Sequence, residues 1–137
     1  MRTTDHTSTG AERLASWLEH QLRLLEVLQF RFDGLERLLK AGRDHMIVRI
    51  VDEIDEVRSQ LGIADLHRDI AVSSLTANWS LEDLPTLSMV IERSDTELTD
   101  RLAALQSALH ETIEEIAATQ DRCAATAAGM VTTFTLP

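Results

Sequence analysis

The sequence predicts an all-α fold, an elongated antiparallel bundle of three long helices with a short helical turn before the last one. Only five Gly and two Pro occur among 137 residues, whereas residues that favour helix, such as Leu, Ala, Glu and Arg, are frequent. Apolar residues also recur about every 3.6 residues along three long stretches. Because the chain is too short for two domains of ordinary size, we expect one.

The first predicted helix follows a segment without apolar periodicity. Residues 1–10 are rich in Thr and Ser, and we expect them to form a flexible N-terminal tail before a single bundle domain at residues 11–137. Gly42 followed by Asp44 signals a helix stop and a restart, which predicts a helical hairpin. The apolar stripe of the first helix consists of Leu14, Leu18, Leu22, Leu25, Leu28, Phe32, Leu35 and Leu39.

The second predicted helix carries its apolar residues in two sets, one within residues 47–61 and one within residues 66–75. The step between the sets, from Leu61 to Leu66, is five residues instead of three or four. This step predicts that the buried face of the helix rotates around Gly62, through a kink or a change of packing partner.

The last predicted helix follows a short helical turn. Ser80 and Asp83 form an N-cap pattern, and together with Pro85 they predict a turn at residues 81–84. Beyond it, an apolar stripe keeps the helical period but its side chains shrink from Gln120 onward, so we expect a softly packed C-terminal helix end. The stripe consists of Leu98, Leu102, Leu105, Leu109, Ile113, Ile116, Gln120, Cys123, Ala127, Met130 and Phe134.

The weakened part of this stripe is the candidate partner-binding site. Residues 81–137 contain ten acidic and three basic residues, so 10 − 3 = 7 of the ten net negative charges lie there. A long acidic helix with a softly apolar end is typical of a surface that receives a partner helix, although the charge alone also fits a role in solubility. The predicted partner-binding residues are Gln120, Cys123, Ala127, Met130 and Phe134.

The composition excludes two classes of partner. A net charge of −10 repels phosphate backbones and anionic lipid surfaces, so we expect no nucleic-acid partner. No apolar run is long enough to insert into a membrane, and the N-terminus lacks the apolar core of a signal peptide. We therefore expect a cytoplasmic protein, and a single cysteine, which cannot form an internal disulfide, agrees with a reducing compartment.

The sequence predicts no catalytic residue, no metal and no cofactor. The Glu-x-x-His pairs of di-metal bundles are absent, and His110 with Glu114 is interpreted as a surface pair. Cys123 has no histidine near it on its helix face, so we interpret it as a small residue on a packed or semi-exposed stripe, and we interpret Trp17 and Trp79 as packing residues. Two further sets are interpreted as solvated: His6, His20, His45 and His67, and the acidic residues Asp52, Glu53, Asp55 and Glu56.

The order of these features resembles the FlgN-like flagellar export chaperones, in particular their actinobacterial form, over residues 12–134. The stretch LLEVLQFRFDGLERLLKAGR contains a Leu-x-Phe-x-Phe pattern from Leu28 to Phe32, and SLEDL precedes the last amphipathic helix. Members of the family usually have an Asn-rich stretch followed by paired Leu in that helix, where this chain has QDRCAA. The resemblance therefore transfers the position of the helix and not its individual contacts.

The resemblance implies a non-enzymatic cytoplasmic chaperone for type III export. Such a protein binds hook–filament junction subunits, which are hook-associated export substrates, through its C-terminal amphipathic helix and serves the flagellar export apparatus. The alternative is a coiled-coil adaptor or scaffold protein without a transport role. Long exposed apolar stripes also leave a homodimer open.

Overall fold

The computed structural model describes the backbone of residues 2–77, 91 and 96–135, and the side chains of residues 10–77, 91 and 97–130. These residues form three long helices, α1 (Arg2–Ala41), α2 (Asp44–Leu75) and α3 (Thr96–Thr135), and no strand occurs among them. The predicted all-α fold is confirmed. The predicted turn at residues 81–84 and the side chain of Trp79 lie outside the described residues.

Helix α1 begins earlier than the apolar periodicity indicates. Its first residue is Arg2, so the backbone of residues 2–10 is helical although this segment carries no apolar stripe. The flexibility of this segment stays a prediction.

The connection between α1 and α2 is the predicted stop and restart. Gly42 has a φ of 66°, in the left-handed region that glycine adopts without steric cost. Its N–H donates to the Leu39 carbonyl and the Arg43 N–H donates to the Leu38 carbonyl, both at 3.2 Å, which is the Schellman arrangement. Helix α2 then starts at Asp44, whose carboxylate lies at the favourable end of the helix dipole.

Contacts divide the chain into two units, and each contains a part of every long helix. The first unit comprises residues 1–23 and 62–109, and the second comprises residues 24–61 and 110–137. Consecutive helices run antiparallel, so that α3 has the same direction as α1, and α1 contacts both α2 and α3.

In the first unit, all three long helices contribute to the core. Leu14 and Leu18 of α1 and Leu102 of α3 are fully buried. Gln21 of α1 is also buried, and its side-chain amide donates to Asp65 of α2, while Arg68 donates to the Gln21 oxygen at 3.3 Å. The buried amide is therefore satisfied on both sides, as a polar group inside a core must be.

In the second unit, the same helix again packs against both neighbours. The Arg31 guanidinium lies 3.4 Å from Glu53 of α2, and Gly34 lies so close to Ile50 that a Cβ at this position would be 2.8 Å from the Ile50 Cδ1. On the other side, the Cys123 thiol of α3 donates to the Phe32 carbonyl at 3.7 Å. The absence of a side chain at Gly34 thus allows α2 to approach α1 closely.

Buried residues recur every seven positions along the helices. On α3 they include Leu102, Leu109, Ile116 and Cys123, and on α1 they include Ala11, Leu18, Leu25 and Phe32. This spacing corresponds to 3.5 residues per turn, the period of a coiled-coil seam, and not to the predicted 3.6.

The seven-residue period corrects two predictions. Ile113, which we predicted on the buried stripe of α3, is 48% exposed. The buried face of α2 does not rotate at Gly62, because Ala64 and Val72 continue it, whereas Leu66 and Ile70 are 59% and 53% exposed. The predicted rotation was therefore wrong, whereas the division between the two units does fall between Leu61 and Gly62, where a change of packing partner was predicted.

The two glycines of this region give opposite predictions for substitution by alanine. Gly42→Ala should lower the free energy of unfolding by roughly 1–2 kcal/mol, because a Cβ is strained at a φ of 66°. Gly62→Ala should raise it by roughly 0.5–1 kcal/mol, because Gly62 is helical and a Cβ there meets no atom within 4 Å. Urea unfolding followed by circular dichroism measures both changes. A neutral Gly42→Ala variant would contradict the described hairpin.

Candidate functional site

The predicted partner-binding residues do not share one environment. Cys123 is 6% exposed and buried, whereas Gln120, Ala127 and Met130 are half-buried. The backbone of Phe134 belongs to α3, but its side chain lies outside the described residues. The structure therefore separates Cys123 from the other three positions that it describes.

Cys123 belongs to the seam between α3 and α1 in the second unit. Its thiol contacts the Phe32 carbonyl, and burial raises the pKa of the thiol, with a further contribution from the Glu36 carboxylate. A raised pKa favours the neutral thiol, which is the opposite of what a nucleophilic cysteine needs. Of the packed and the semi-exposed position that the sequence left open for Cys123, the structure shows the packed one, and this burial makes Cys123 a poor partner contact.

Thr119, and not Gln120 as predicted, is the buried residue of the seam at this point of α3. Thr119 is 3% exposed, and its hydroxyl donates to the Glu115 carbonyl one turn earlier, at 3.1 Å. Thr112 and Thr126 lie seven residues on either side and are half-buried. A threonine can be buried at low cost when its hydroxyl bonds to its own helix, so a polar residue continues the apolar seam.

One uncharged stripe remains accessible on α3 beside the seam. Its members follow each other at alternating steps of four and three residues, which places them along one face of the helix. Three of them are exposed and two are half-buried. We call this set the α3 outer stripe: Ile113, Ala117, Gln120, Ala124 and Ala127.

Acidic residues border the α3 outer stripe on the side away from the seam. Glu114 and Asp121 are exposed, and each follows a stripe residue directly in the sequence. Because they are seven residues apart, they lie above one another on the helix surface. The surface thus combines the uncharged α3 outer stripe with an acidic edge.

An ion pair between α3 and α1 lies close to two of the predicted partner-binding residues, Gln120 and Cys123. The Arg122 Nε donates to the Glu36 carboxylate at 2.7 Å, and another guanidinium nitrogen donates to the Thr119 hydroxyl at 3.0 Å. The hydrogen bond from Arg122 is the main cause that lowers the pKa of the Glu36 carboxyl, and Lys40, 3.8 Å from the same oxygen, adds to it. This pair holds the segment around residues 119–123 against α1.

The ion pair predicts a pH-dependent effect of the neutral variant Glu36→Gln. Because the pKa of Glu36 is lowered in the folded state, its contribution to stability is fully present above the unfolded value of 4.5 and is lost as pH falls through the folded pKa. Glu36→Gln should therefore lower the urea midpoint at pH 7 and have little effect at acidic pH. Its effect should also shrink in an Arg122→Gln background. An equal effect at both pH values and in both backgrounds would contradict the pair.

The remaining sequence candidates fall on the surface or between helices. His110 and Glu114 are both exposed, as predicted for a surface pair. Trp17 is half-buried and stacks on His67 with ring centroids 4.3 Å apart, and it forms a T-shaped pair with His20, with centroids 5.8 Å apart. His67 is exposed, in agreement with the predicted solvation, whereas His20 is half-buried, and the prediction missed that both rings contact the indole.

The acidic residues on α2 are mostly exposed, in agreement with a solvated face. Asp52, Asp55 and Glu56 are exposed, whereas Glu53 is half-buried beside Arg31. Across the described ranges, no three His, Cys, Asp or Glu side chains are grouped so that they could hold a metal ion. In the same ranges, no helix has the length and apolar character needed to cross a membrane.

Sequence reasoning missed Ile113, Ala117 and Ala124 as surface candidates. A signal was present, because Leu102, Leu109, Ile116 and Cys123 are separated by exactly seven residues. That spacing predicts a seam of 3.5 residues per turn, which turns Ile113 outward.

Comparison with known proteins found no matching family model, no matching curated protein and no matching solved structure. The α3 outer stripe, with its acidic edge, and the resemblance in sequence are therefore the features that bear on function.

Proposed function

We propose that this chain is a non-enzymatic export chaperone that captures an amphipathic helix of another protein along α3. The proposed partners are hook–filament junction subunits and the flagellar type III export apparatus that receives them. Residues of the α3 outer stripe contact the captured helix, and Met130 and Phe134 extend the contact toward the end of α3. A coiled-coil adaptor or scaffold without a transport role is the second candidate.

The observation that carries the proposal is the uncharged α3 outer stripe on an otherwise acidic helix. Ala117 and Ala124 are exposed, so they leave room for another helix to approach the α3 backbone. Ile113, at 48% exposure, provides a large apolar side chain at the start of the stripe. The α3 outer stripe therefore suits a partner helix whose apolar residues recur every three or four positions along its sequence.

The binding mode that we propose leaves the α1–α3 seam closed. Cys123 stays in contact with α1 and Thr119 stays buried, so Cys123, although predicted as a partner contact, is replaced in the proposed surface by its exposed neighbour Ala124. Because the seam stays intact, capture does not require unfolding of the second unit. This arrangement agrees with a chaperone that must bind and release a substrate repeatedly.

The expected affinity is moderate. Burial of apolar area contributes about 25 cal/mol per Å², and the loss of freedom of the two segments offsets part of it. Small side chains such as Ala117, Ala124 and Ala127 bury little area individually. The contact is therefore strong enough to cover an apolar substrate helix and weak enough to release it.

The adaptor alternative is favoured by the apolar side chains that are exposed outside α3. Phe30 of α1 is 68% exposed although it belongs to the Leu-x-Phe-x-Phe pattern, whose other large residues, Leu28 and Phe32, are buried. An adaptor needs more than one protein-binding surface, and such a residue provides a further contact. The two candidates differ in the partner, because only the chaperone requires a hook–filament junction subunit.

The test is the binding of purified hook–filament junction subunits from the source organism to wild-type chain and to Ala124→Glu, measured by isothermal titration calorimetry. The variant places a charge in the proposed apolar contact and should weaken binding by at least about tenfold. Removing residues 120–137 is a poorer test, because it also deletes Cys123 and the Arg122–Glu36 pair.

Ala125→Glu is the matched control. Ala125 is also exposed. Its substitution by Glu introduces the same charge one residue further along α3, about 100° around the helix and away from the α3 outer stripe. It should bind within about twofold of wild type. Equal losses in both variants, or no binding of any junction subunit to wild type, would reject the chaperone proposal, and the second outcome would favour the adaptor.

A further inference from the structure

The end of the second unit at which α1 turns into α2 is basic, although the chain as a whole is acidic. Residues 37–49 contain four basic residues, all of them exposed, and a single acidic one, Asp44. We call this set of bases the basic hairpin end: Arg37, Lys40, Arg43 and Arg49.

The excess of positive charge remains when the helix that packs beside this hairpin is included. Contacts from Cys123 to Phe32 and from Arg122 to Glu36 place the last part of α3 beside the last part of α1. Residues 36–49 and 122–135 together contain five basic and two acidic residues, so 5 − 2 = +3. The rest of the second unit contains two basic and ten acidic residues, so 2 − 10 = −8. Positive charge is therefore concentrated at one end of this unit.

Three of these bases have no acidic partner in the part of the chain that the structure describes. Glu36 is shared by two others, since it lies 2.7 Å from Arg122 and 3.8 Å from Lys40. The side chains of Arg37, Arg43 and Arg49 form no ion pair with any described residue. Their guanidinium groups are thus available to carboxylates from outside, which arginine binds through two parallel hydrogen bonds.

Helix geometry keeps the three arginines close to the loop. Arg37 precedes the end of α1 by four residues and Arg49 follows the start of α2 by five, so both lie within about 8 Å of the loop along their helix axes. Arg43 lies in the loop itself, next to the left-handed Gly42. A segment of about five extended residues is long enough to pass across all three.

We infer that the basic hairpin end binds a short acidic segment of another protein, one with several Asp or Glu residues within about five positions. The positive charges are distributed over two helices and a loop, which suits several separate carboxylates better than a single phosphate group. This inference does not rest on the proposed function, because the basic hairpin end shares no residue with the α3 outer stripe.

A short segment fits this end better than an extended anionic surface does. Exposed acidic residues begin at Asp52, about 12 Å along α2 from its start, so they repel a long polyanion that follows the hairpin. Residues 36–49 contain no aromatic side chain of the kind that anchors a protein at a lipid interface. The contact is therefore mainly electrostatic, and its affinity falls as salt concentration rises.

The test is fluorescence anisotropy of the full chain with a fluorescein-labelled oligoglutamate of about ten residues, which exceeds the span of the three arginines. Wild type should bind it at least about tenfold more tightly than a Gly-Ser peptide of the same length, and at least about fivefold more weakly at high than at low NaCl concentration. The double variant Arg43→Gln/Arg49→Gln should weaken binding by at least about tenfold. Both arginines are exposed, and an unchanged melting temperature verifies that the variant is folded.

Arg13→Gln/Arg23→Gln is the matched control, because it removes the same two charges from exposed positions of α1 in the first unit. It should bind the oligoglutamate within about twofold of wild type. Equal losses in the two double variants, or no preference of wild type for oligoglutamate, would overturn the inference. So would binding to vesicles of phosphatidylcholine and phosphatidylglycerol without binding to oligoglutamate, which would assign the basic hairpin end to a membrane surface.

Discussion

Helix α1 is the element on which both units depend, because its buried side chains recur every seven residues and face two neighbours. Leu14 and Leu18 form the core of the first unit, and Leu28, Phe32 and Leu35 form that of the second. Of the 19 buried apolar residues among those described, nine lie on α1. Helix α2 contributes four of these residues and α3 contributes five, and much of the surface of both helices is exposed.

The seven-residue period determines which residues of α3 are accessible. Thr119 and Cys123 are buried, and the pair between Arg122 and Glu36 holds this part of the helix against α1. Residues of the α3 outer stripe lie beside the seam and are left for other contacts. One geometric constraint thus separates a surface that maintains the fold from a surface that is available for binding.

Local signals made the hairpin and the α1 stripe predictable from sequence. Gly42 fulfils a local requirement, a left-handed residue after a helix, that needs no knowledge of the partner helices. The phase of α3 was less predictable, because periods of 3.5 and 3.6 diverge by only one residue over a long helix. Thr119 is buried although it is polar, since its hydroxyl bonds to Glu115, and Leu66 is exposed although it is apolar. Residue type alone does not reveal either outcome.

The most direct measurement is the reactivity of single cysteines along α3 toward a thiol reagent. In a Cys123→Ala background, cysteines replace Ile113, Ile116, Thr119 and Gln120 one at a time. The described seam predicts fast labelling at position 113, an intermediate rate at the half-buried position 120, and slow labelling at positions 116 and 119. A helix buried with a 3.6-residue period would instead give slow labelling at 113 and 120 and fast labelling at 119, and that result would contradict the seam and the binding surface beside it.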